Sequence, residues 1–489
     1  MRHLWSALIV LGTALPVAAQ GGAGATLTLD EALALAKKNN PLYLQTMNGR
    51  VRADAALRTA YGAFLPTANT SFSTGYRQGK QQFFGGVAFG ATSDILSSSW
   101  GLDFSARVNA GTVANMRRSR ASLDAAQSDV AGAEANLRSN VTQQYVLVLQ
   151  TAARAVLQDS LVVSNQLQLD LAKAKAGVGS ATSLDVKRAE VALGQQQVAA
   201  LKAHNLADVT VLQLFQVLGV NKPDQVQLTS TFVIAEPSLD PRQLLDLARQ
   251  GNPTLQALIF RETAAAQSVR AAQGEYTPTL SFSANLGGFT QKYKDGNYLV
   301  NQAAAGATSS RASCFATDSI RRGAGLSGIG SQCNAIVFTD AQANALRSIN
   351  SDYPFKFTSN PYNLSLGLSL PLFDGFGREQ RVQEANAGRS DARYNVRAQE
   401  LKLTADVTSA HLTLVADFRT VRLQEANARA AQEALQLAQE RYRVGLNSLV
   451  DLQQARGDYE RAQTDLIDAT YEYHRAYAAL ESAVGRALR

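Results

Sequence analysis

The chain has 489 residues, with 47 Lys+Arg against 40 Asp+Glu, and its net charge of +7 is spread along the sequence. No basic block offers a footprint for nucleic acid, and two cysteines cannot staple a disulfide-dense module. Charged residues are only 18% of the chain, below the roughly 25% of ordinary soluble domains. Even so, no run past the first residues approaches the ~18–20 continuous apolar positions of a membrane helix.

Met1 to Ala19 read as a secretory leader. Arg2 and His3 form a polar start, Leu4 to Leu15 an apolar run, and Val17-Ala18-Ala19 a small-residue cleavage site before Gln20. A buried N-terminal strand is the alternative. No cysteine stands at the new N-terminus, so lipid attachment is not indicated. An exported chain meets an oxidising compartment, where Cys314 and Cys333 either pair or stay as unrelated thiols. A bridge closing about 20 residues restrains the unfolded chain by ~3 kcal/mol.

The remainder is written twice. Asp30-Glu31-Ala32-Leu33-Ala34-Leu35-Ala36 leads to Asn39-Asn40-Pro41, and Leu244-Leu245-Asp246-Leu247-Ala248 leads to Gly251-Asn252-Pro253. Pro41 and Pro253 lie 212 apart, as do Pro66 and Pro278, whereas Gly111 and Gly375 lie 264 apart and Gly179 and Gly445 lie 266 apart. The second copy therefore carries an insertion between Phe289 and Pro361, rich in Gly, Ser and Asn and holding both cysteines. This divides the chain into a leader 1–19, a first repeat 20–218, a linker 219–243 and a second repeat 244–489, with the insertion at 290–360.

Each repeat holds two stretches of period two. Trp100, Leu102, Phe104, Ala106 and Val108 alternate with polar or small residues. So do Leu280, Phe282, Ala284 and Leu286, and Tyr362 through Leu372 at even positions. The first stretch, from Pro66 to Tyr76, is the weakest. Strands are predicted near 66–77, 99–110, 278–289 and 361–373, each with one greasy and one polar face. Their length suits a tilted bilayer span; soluble hairpins packed on a core would show the same alternation.

Proline is absent between Pro66 and Pro223 and after Pro371, leaving two tracts free to be helical. Leu137, Val141, Tyr145, Val148 and Ala152 mark one apolar stripe, and Leu403, Val407, Ala410, Leu414, Phe418 and Val421 the other. Helices are predicted over 112–218 and 378–486. Each begins with some 60 residues, a rod of ~90–100 Å, too long to wrap a globular core and suited to side-by-side packing. Four strands cannot close a barrel, and an open edge in lipid leaves backbone groups unpaired. If the strands span a membrane, copies must pool them; three copies give twelve, within the range of bacterial barrels.

The order of helix, hairpin, long helix, tip and returning helix, twice after a leader, resembles the TolC family of outer-membrane efflux proteins. The most specific pieces are Val178-Gly179 with Asp185 and Val444-Gly445 with Asp451. Phe64-Leu65-Pro66, Tyr276-Thr277-Pro278 and Leu370-Pro371-Leu372-Phe373-Asp374-Gly375 support them. The likeness covers nearly the whole mature chain apart from 290–360. It implies an α+β membrane protein: a homotrimer with a twelve-stranded β-barrel in outer-membrane lipid, continuous with a periplasmic α-helical coiled-coil barrel. It further implies an exit duct for a tripartite efflux or type I secretion system, with a periplasmic adaptor and an inner-membrane transporter as partners. The insertion would then be an extracellular flap or plug.

On that resemblance Asp185, Tyr442 and Asp451 are expected at a periplasmic gate, and Val178, Gly179, Val444, Gly445 and Leu446 at the edge that meets the adaptor. Plainer readings stand beside these. Gly179 and Gly445 suit helix reversals, and Thr182 with Asp185, and Ser448 with Asp451, fit capping boxes. Tyr442 fits ordinary helix packing. Asn447 stands where a well-studied member type carries an arginine, and Gln454 where it carries a second acid, so the closing network is expected to be weaker or wired differently. Phe64, Tyr276 and Phe373, at strand ends, suit either an interfacial girdle or buried packing.

Nothing points to catalysis. His3, His204, His411 and His474 are scattered without metal-ligand spacing, and no nucleotide loop, nucleophile elbow or triad is present. No metal or cofactor is expected. Gly323-x-Gly325-x-x-Gly328 fits a dinucleotide fingerprint only formally, within the insertion. A passive porin and a periplasmic coiled-coil scaffold remain as alternatives; the first leaves the long helices unexplained, the second the aliphatic strand faces.

Overall fold

The computed structural model describes residues 25–80, 82–89, 93–230, 232–238 and 240–488; the leader Met1–Ala19 lies outside them. In chain order the first repeat holds β1 (Ala25–Leu27), α1 (Leu29–Asn39), α2 (Pro41–Gly62), β2 (Thr67–Arg77), β3 (Gln82–Phe84), β4 (Val87–Phe89), β5 (Ile95–Val108), α3 (Ala110–Gly177) and α4 (Ser183–Leu218). The linker contributes β6 (Val226–Leu228). The second repeat holds α5 (Pro241–Gly251), α6 (Pro253–Gly274), β7 (Thr279–Tyr293), α7 (Tyr298–Gly323), α8 (Gly330–Asn334), α9 (Asp340–Ile349), β8 (Thr358–Ser359), β9 (Asn363–Ser369), α10 (Gly377–Arg443) and α11 (Leu449–Val484).

The chain forms two compact units. One comprises the described part of Met1–Ala53 with Ser122–Glu262 and Asp391–Arg489; the other comprises Asp54–Ala121 and Thr263–Ser390.

In the first unit the duplication appears as two matching cores. Ala32 and Ala36 of α1 meet Leu137, Val141, Tyr145 and Val148 of α3 and Leu214 and Leu218 of α4. Leu244 and Ala248 of α5 meet Leu403, Val407 and Leu414 of α10 and Leu480 and Val484 of α11. An 18-residue window of α3 is apolar enough by composition to cross a membrane, but its helix sends Val141, Tyr145 and Val148 into this core.

The Asn-Pro motifs do the same work in both copies. The Asn40 side-chain amide donates to Val217 O (2.7 Å) while its carbonyl oxygen accepts from Tyr43 N. Asn252 donates to Ala483 O (3.2 Å) and accepts from Thr254 N and Leu255 N. One residue thus caps a helix that starts at proline and ties it to the end of the returning helix. The returning helices end at Gly219 and Gly485, both left-handed at φ +75 and +87. A Cβ on Gly219 would lie 2.5 Å from Asn39 O.

In the second unit β2, β5, β7 and β9 form an antiparallel sheet in that order, with β8 also on β7. Thr67 pairs with Ser105, and Thr279 with Ser369. The hairpins are therefore superimposable with the first strands 212 apart and the second strands 264 apart. β5 begins at Ile95 rather than near 99, and β7 runs to Tyr293, because Ile95–Ser98 pair with both Arg77–Thr74 and Tyr293–Thr290. β9 is shorter than its predicted span. Alternation survives pairing: Phe72, Trp100, Leu102, Phe104, Phe282, Leu286, Leu364, Leu366 and Leu368 share one face. Ser71, Ser73, Ser99, Asp103, Ser105, Ser283, Asn285 and Ser365 share the other.

Between Tyr293 and Thr358 the insertion is largely helical, although its Gly/Ser/Asn composition suggested a loop. The 26-residue α7 is Ala-rich and free of proline, which suffices for a helix. Cys314 on α7 is bonded to Cys333 on α8, with Cα atoms 5.5 Å apart. The formal dinucleotide glycines follow a helix instead of a strand, so the fingerprint has no βα turn to sit on.

Candidate functional site at the helical tips

Both long helices reverse through the same device. After α3, Gly179 is left-handed at φ +77; its N–H donates to Ala176 O (3.1 Å) and that of Ser180 to Lys175 O (2.8 Å). After α10, Gly445 is left-handed at φ +83; its N–H donates to Tyr442 O (3.2 Å) and that of Leu446 to Arg441 O (2.8 Å). This paired closure suits glycine, which carries no Cβ to clash.

A hydroxyl then starts each returning helix. Asp185 Oδ2 accepts from Thr182 N (3.0 Å) and Oγ1 (2.7 Å), and the Asp185 N–H donates to Thr182 Oγ1. Asp451 Oδ2 accepts from Ser448 N (3.0 Å) and Oγ (2.8 Å), and the Asp451 N–H donates to Ser448 Oγ. Both acids are therefore capping residues, each cap being worth ~1 kcal/mol. Hydrogen bonds from the Thr182 hydroxyl and amide, helped by the Arg188 charge, hold Asp185 below the usual carboxylate range. The associated stabilisation is present above the ordinary carboxylate pKa and is lost as pH falls through the depressed value.

The two tips touch through Lys175 and Tyr442. Lys175 Nζ lies 4.1 Å from the centre of the Tyr442 ring and donates to Tyr442 O. A cation over a ring face contributes about 0.5–2 kcal/mol, more as water is excluded. Tyr442 is buried with Leu435, Ala438, Leu449 and Leu452. Burial raises its phenol pKa and the Asp185 charge raises it further, so the ring stays neutral at neutral pH. Among the described residues, the hydrogen bonds of the Asp451 side chain stay inside its own cap. Val178, Val444 and Leu446 project outward, 80%, 63% and 77% exposed, as no buried helix corner would.

Sequence reading missed Lys175, which reads as one more charge near a helix end. It also missed Arg456 on α11, which is 8% exposed. Its guanidinium donates to Asn165 Oδ1, Ser164 O and Ser164 Oγ on α3. Burial lowers its pKa, partly offset by Glu460. The neighbouring tie is ionic: Arg154 Nε meets Asp468 Oδ1 at 2.7 Å, with Gln150 on the same oxygen. Among the described residues no group of three or more His, Cys, Asp or Glu converges to hold a metal ion.

Long paired helices with glycine reversals, joined in one chain to an antiparallel sheet with a greasy face, fit a protein whose sheet meets lipid. The family model described as outer membrane efflux protein matches residues 22–220 and 337–486, and the chain belongs to that family. It is 24% identical over 486 residues to the outer membrane efflux protein BepC of Brucella suis biovar 1 (strain 1330), covering 98% of this chain and 89% of that one. It is 21% identical over 458 residues to the outer membrane protein TolC of Vibrio cholerae serotype O1, covering 92% and 89%. The Campylobacter jejuni CmeC outer membrane channel shares the fold, with a TM-score of 0.70 at 17% identity over 94% of this chain and 85% of that one. The protein is an outer-membrane efflux channel of a family that is not an enzyme family. Membership removes the soluble scaffold from consideration.

Proposed function

We propose that three copies of this chain form one exit duct, with a shared twelve-stranded barrel in the outer membrane and the long helices in the periplasm. The observation that carries this reading is a repeated interface of which one half is empty. Within the chain, β5 of the first repeat pairs with β7 of the second. Beside them the start of α3 at Gly111 meets the end of α6 at Gly274 so closely that a Cβ on Gly274 would lie 2.2 Å from Gly111 N. The equivalent elements are β9 with β2, and Gly375 with Gly62. In the chain β2 and β9 are the sheet's edges, and a Cβ on Gly62 or Gly375 would meet nothing within 4 Å. A second copy fills both vacancies at once. Bare edges in lipid are costly, and cyclic closure of three copies removes them.

The duplication also predicts the register. The in-chain pair Ser105 with Ser283 maps onto Ser369 with Ser71 of the partner subunit. Opposed strand residues lie within disulfide reach. Oxidising the double variant Ser71→Cys/Ser369→Cys should yield covalent dimers and trimers on a denaturing gel, with single variants unlinked. A double variant that stays monomeric after oxidation refutes the register.

The tips would form the periplasmic entrance, with Val178, Gly179, Val444, Gly445 and Leu446 as the edge that meets a periplasmic adaptor. The inner-membrane transporter behind that adaptor supplies the energy. Lys175 would take the closing role of the arginine that a well-studied member type carries, since Asn447 is neutral here. Three copies of Asp451 around a narrow mouth would favour cations. Asp451→Asn keeps a capping side chain and removes the charge; single-channel recordings should then show reduced cation preference. Unchanged selectivity would leave Asp451 a helix cap alone.

A further inference from the structure

The insertion returns to the sheet through Tyr353-Pro354-Phe355-Lys356-Phe357, which crosses the aliphatic face near one end. Apart from Thr70 on β2 and Ser359 on β8, that face is apolar from the row of Val108 and Leu280 up to Trp100, and the next row is hydroxyl-bearing on all three strands, with Thr74, Ser98 and Thr290. The strap covers this hydroxyl row. Ser98 Oγ donates to Pro354 O (2.5 Å), and the Tyr353 hydroxyl lies 3.1 Å from Thr74 Oγ1. The rings of Phe355 and Phe357 each lie 6.2 Å from that of Phe72. Ser98 and Thr290 are 1% and 4% exposed beneath it, yet Phe355 and Phe72 are 72% and 56% exposed. The strap satisfies hydroxyls that lipid could not and presents aromatic rings outward in their place.

Its height on the sheet fits a boundary. From Trp100 to Val108 the strand rises about 27 Å, and at barrel tilt this gives ~20 Å of apolar band. Beyond the strap the same face carries Tyr76, Leu96 and Lys292 in one row. Tyr76 is bonded to Asp94 (2.8 Å), which also holds Lys294, and Lys356 is paired with Asp352. Lys292 is exposed and has no carboxylate within ion-pair distance among the described residues. Grease, then aromatics, then a free ammonium is the order of acyl chain, interface and phosphate in a leaflet.

We infer that Tyr353–Phe357 is an interfacial anchor seated in the lipid of the leaflet nearest the hairpin loops. Phe355 and Phe72 lie at the acyl–headgroup boundary, and Lys292 faces lipid phosphate. This rests on the reading of the sheet as a membrane span, and the test separates the two. Phe355→Cys, Leu366→Cys and Leu326→Cys, each in the full chain with the native disulfide intact, carry a nitroxide in phosphatidylglycerol–phosphatidylcholine vesicles. Collision with oxygen, which partitions into lipid, is compared with collision with a water-soluble nickel chelate. The expected oxygen-to-nickel ratio at 355 is several-fold above that at 326, on the exposed turn after α7, and below that at 366 in mid-sheet. A ratio at 355 equal to that at 326, with 366 still lipid-like, overturns the anchor and spares the span. Low collision with both reagents at 355 means that protein covers the strap and also overturns it. A water-like 366 overturns the span itself.

Discussion

Gly274→Val will prevent the chain from folding and, with it, the assembly of the proposed trimer. Its side chain would meet Gly111 N at 2.2 Å, Gly111 Cα at 2.5 Å and Ala110 C at 2.9 Å. All three are backbone atoms, so no rotamer change relieves the overlap. The α6 end or the α3 start must move, and with it the register of β5 on β7. Overpacking that forces backbone shifts costs about 1–3 kcal/mol and more where, as here, no side chain can yield, out of the about 5–15 kcal/mol that holds a folded domain. The expected result is loss of the cooperative helical circular dichroism melt and of the three-chain particle that the proposed trimer predicts. Gly62→Val is the informative companion, since nothing in the same chain lies within 4 Å of the added Cβ. It should leave a folded monomer that does not assemble, because its obstacle is the partner subunit. A Gly62→Val variant that trimerises normally would contradict the repeat-derived interface, and a normally folded Gly274→Val would contradict the close crossing.

On the proposed adaptor contact, Gly445→Trp is expected to reduce export at least tenfold, by about 1.4 kcal/mol or more of coupling, while the proposed trimer still assembles. The φ of +83 strains any L side chain there, but no neighbour lies within 4 Å of the added Cβ. The left-handed penalty is ~1–2 kcal/mol and falls on one exposed turn. Two companions separate strain from contact. Gly445→Asn tolerates the left-handed backbone and should retain most export; Gly445→Ala bears the strain without the bulk and should lie between. Export by Gly445→Trp at the level of Gly445→Ala would remove the tip from the adaptor interface.

Much of this architecture is readable because the duplication supplies an internal comparison. Pro41 with Pro253 and Gly179 with Gly445 mark equivalent turns, and the hairpin registers reproduce the 212 and 264 separations. The capping boxes at Thr182 and Ser448 are local and need only four residues to be seen. What escapes sequence reading is whatever depends on a distant partner. Gly111 and Gly274 look like two helix-end glycines until their backbones meet. Lys175 gains meaning only from Tyr442, and Arg456 only from Ser164 and Asn165, with no sequence pattern joining either pair. The insertion deceived for another reason: its Gly and Ser content hid a run of alanines able to hold a helix. The strap over Ser98 belongs with the distant partners, though one signal was available. The hydroxyls of Thr74, Ser98 and Thr290 line up across three strands of a mainly apolar face, and such a row needs a cover.

Native mass spectrometry of the protein, extracted from outer membranes in mild detergent, tests the shared duct most directly. Three chains per particle are predicted, each carrying half of every interface its neighbour completes. A particle of one chain, with β2 and β9 left bare, would contradict the account.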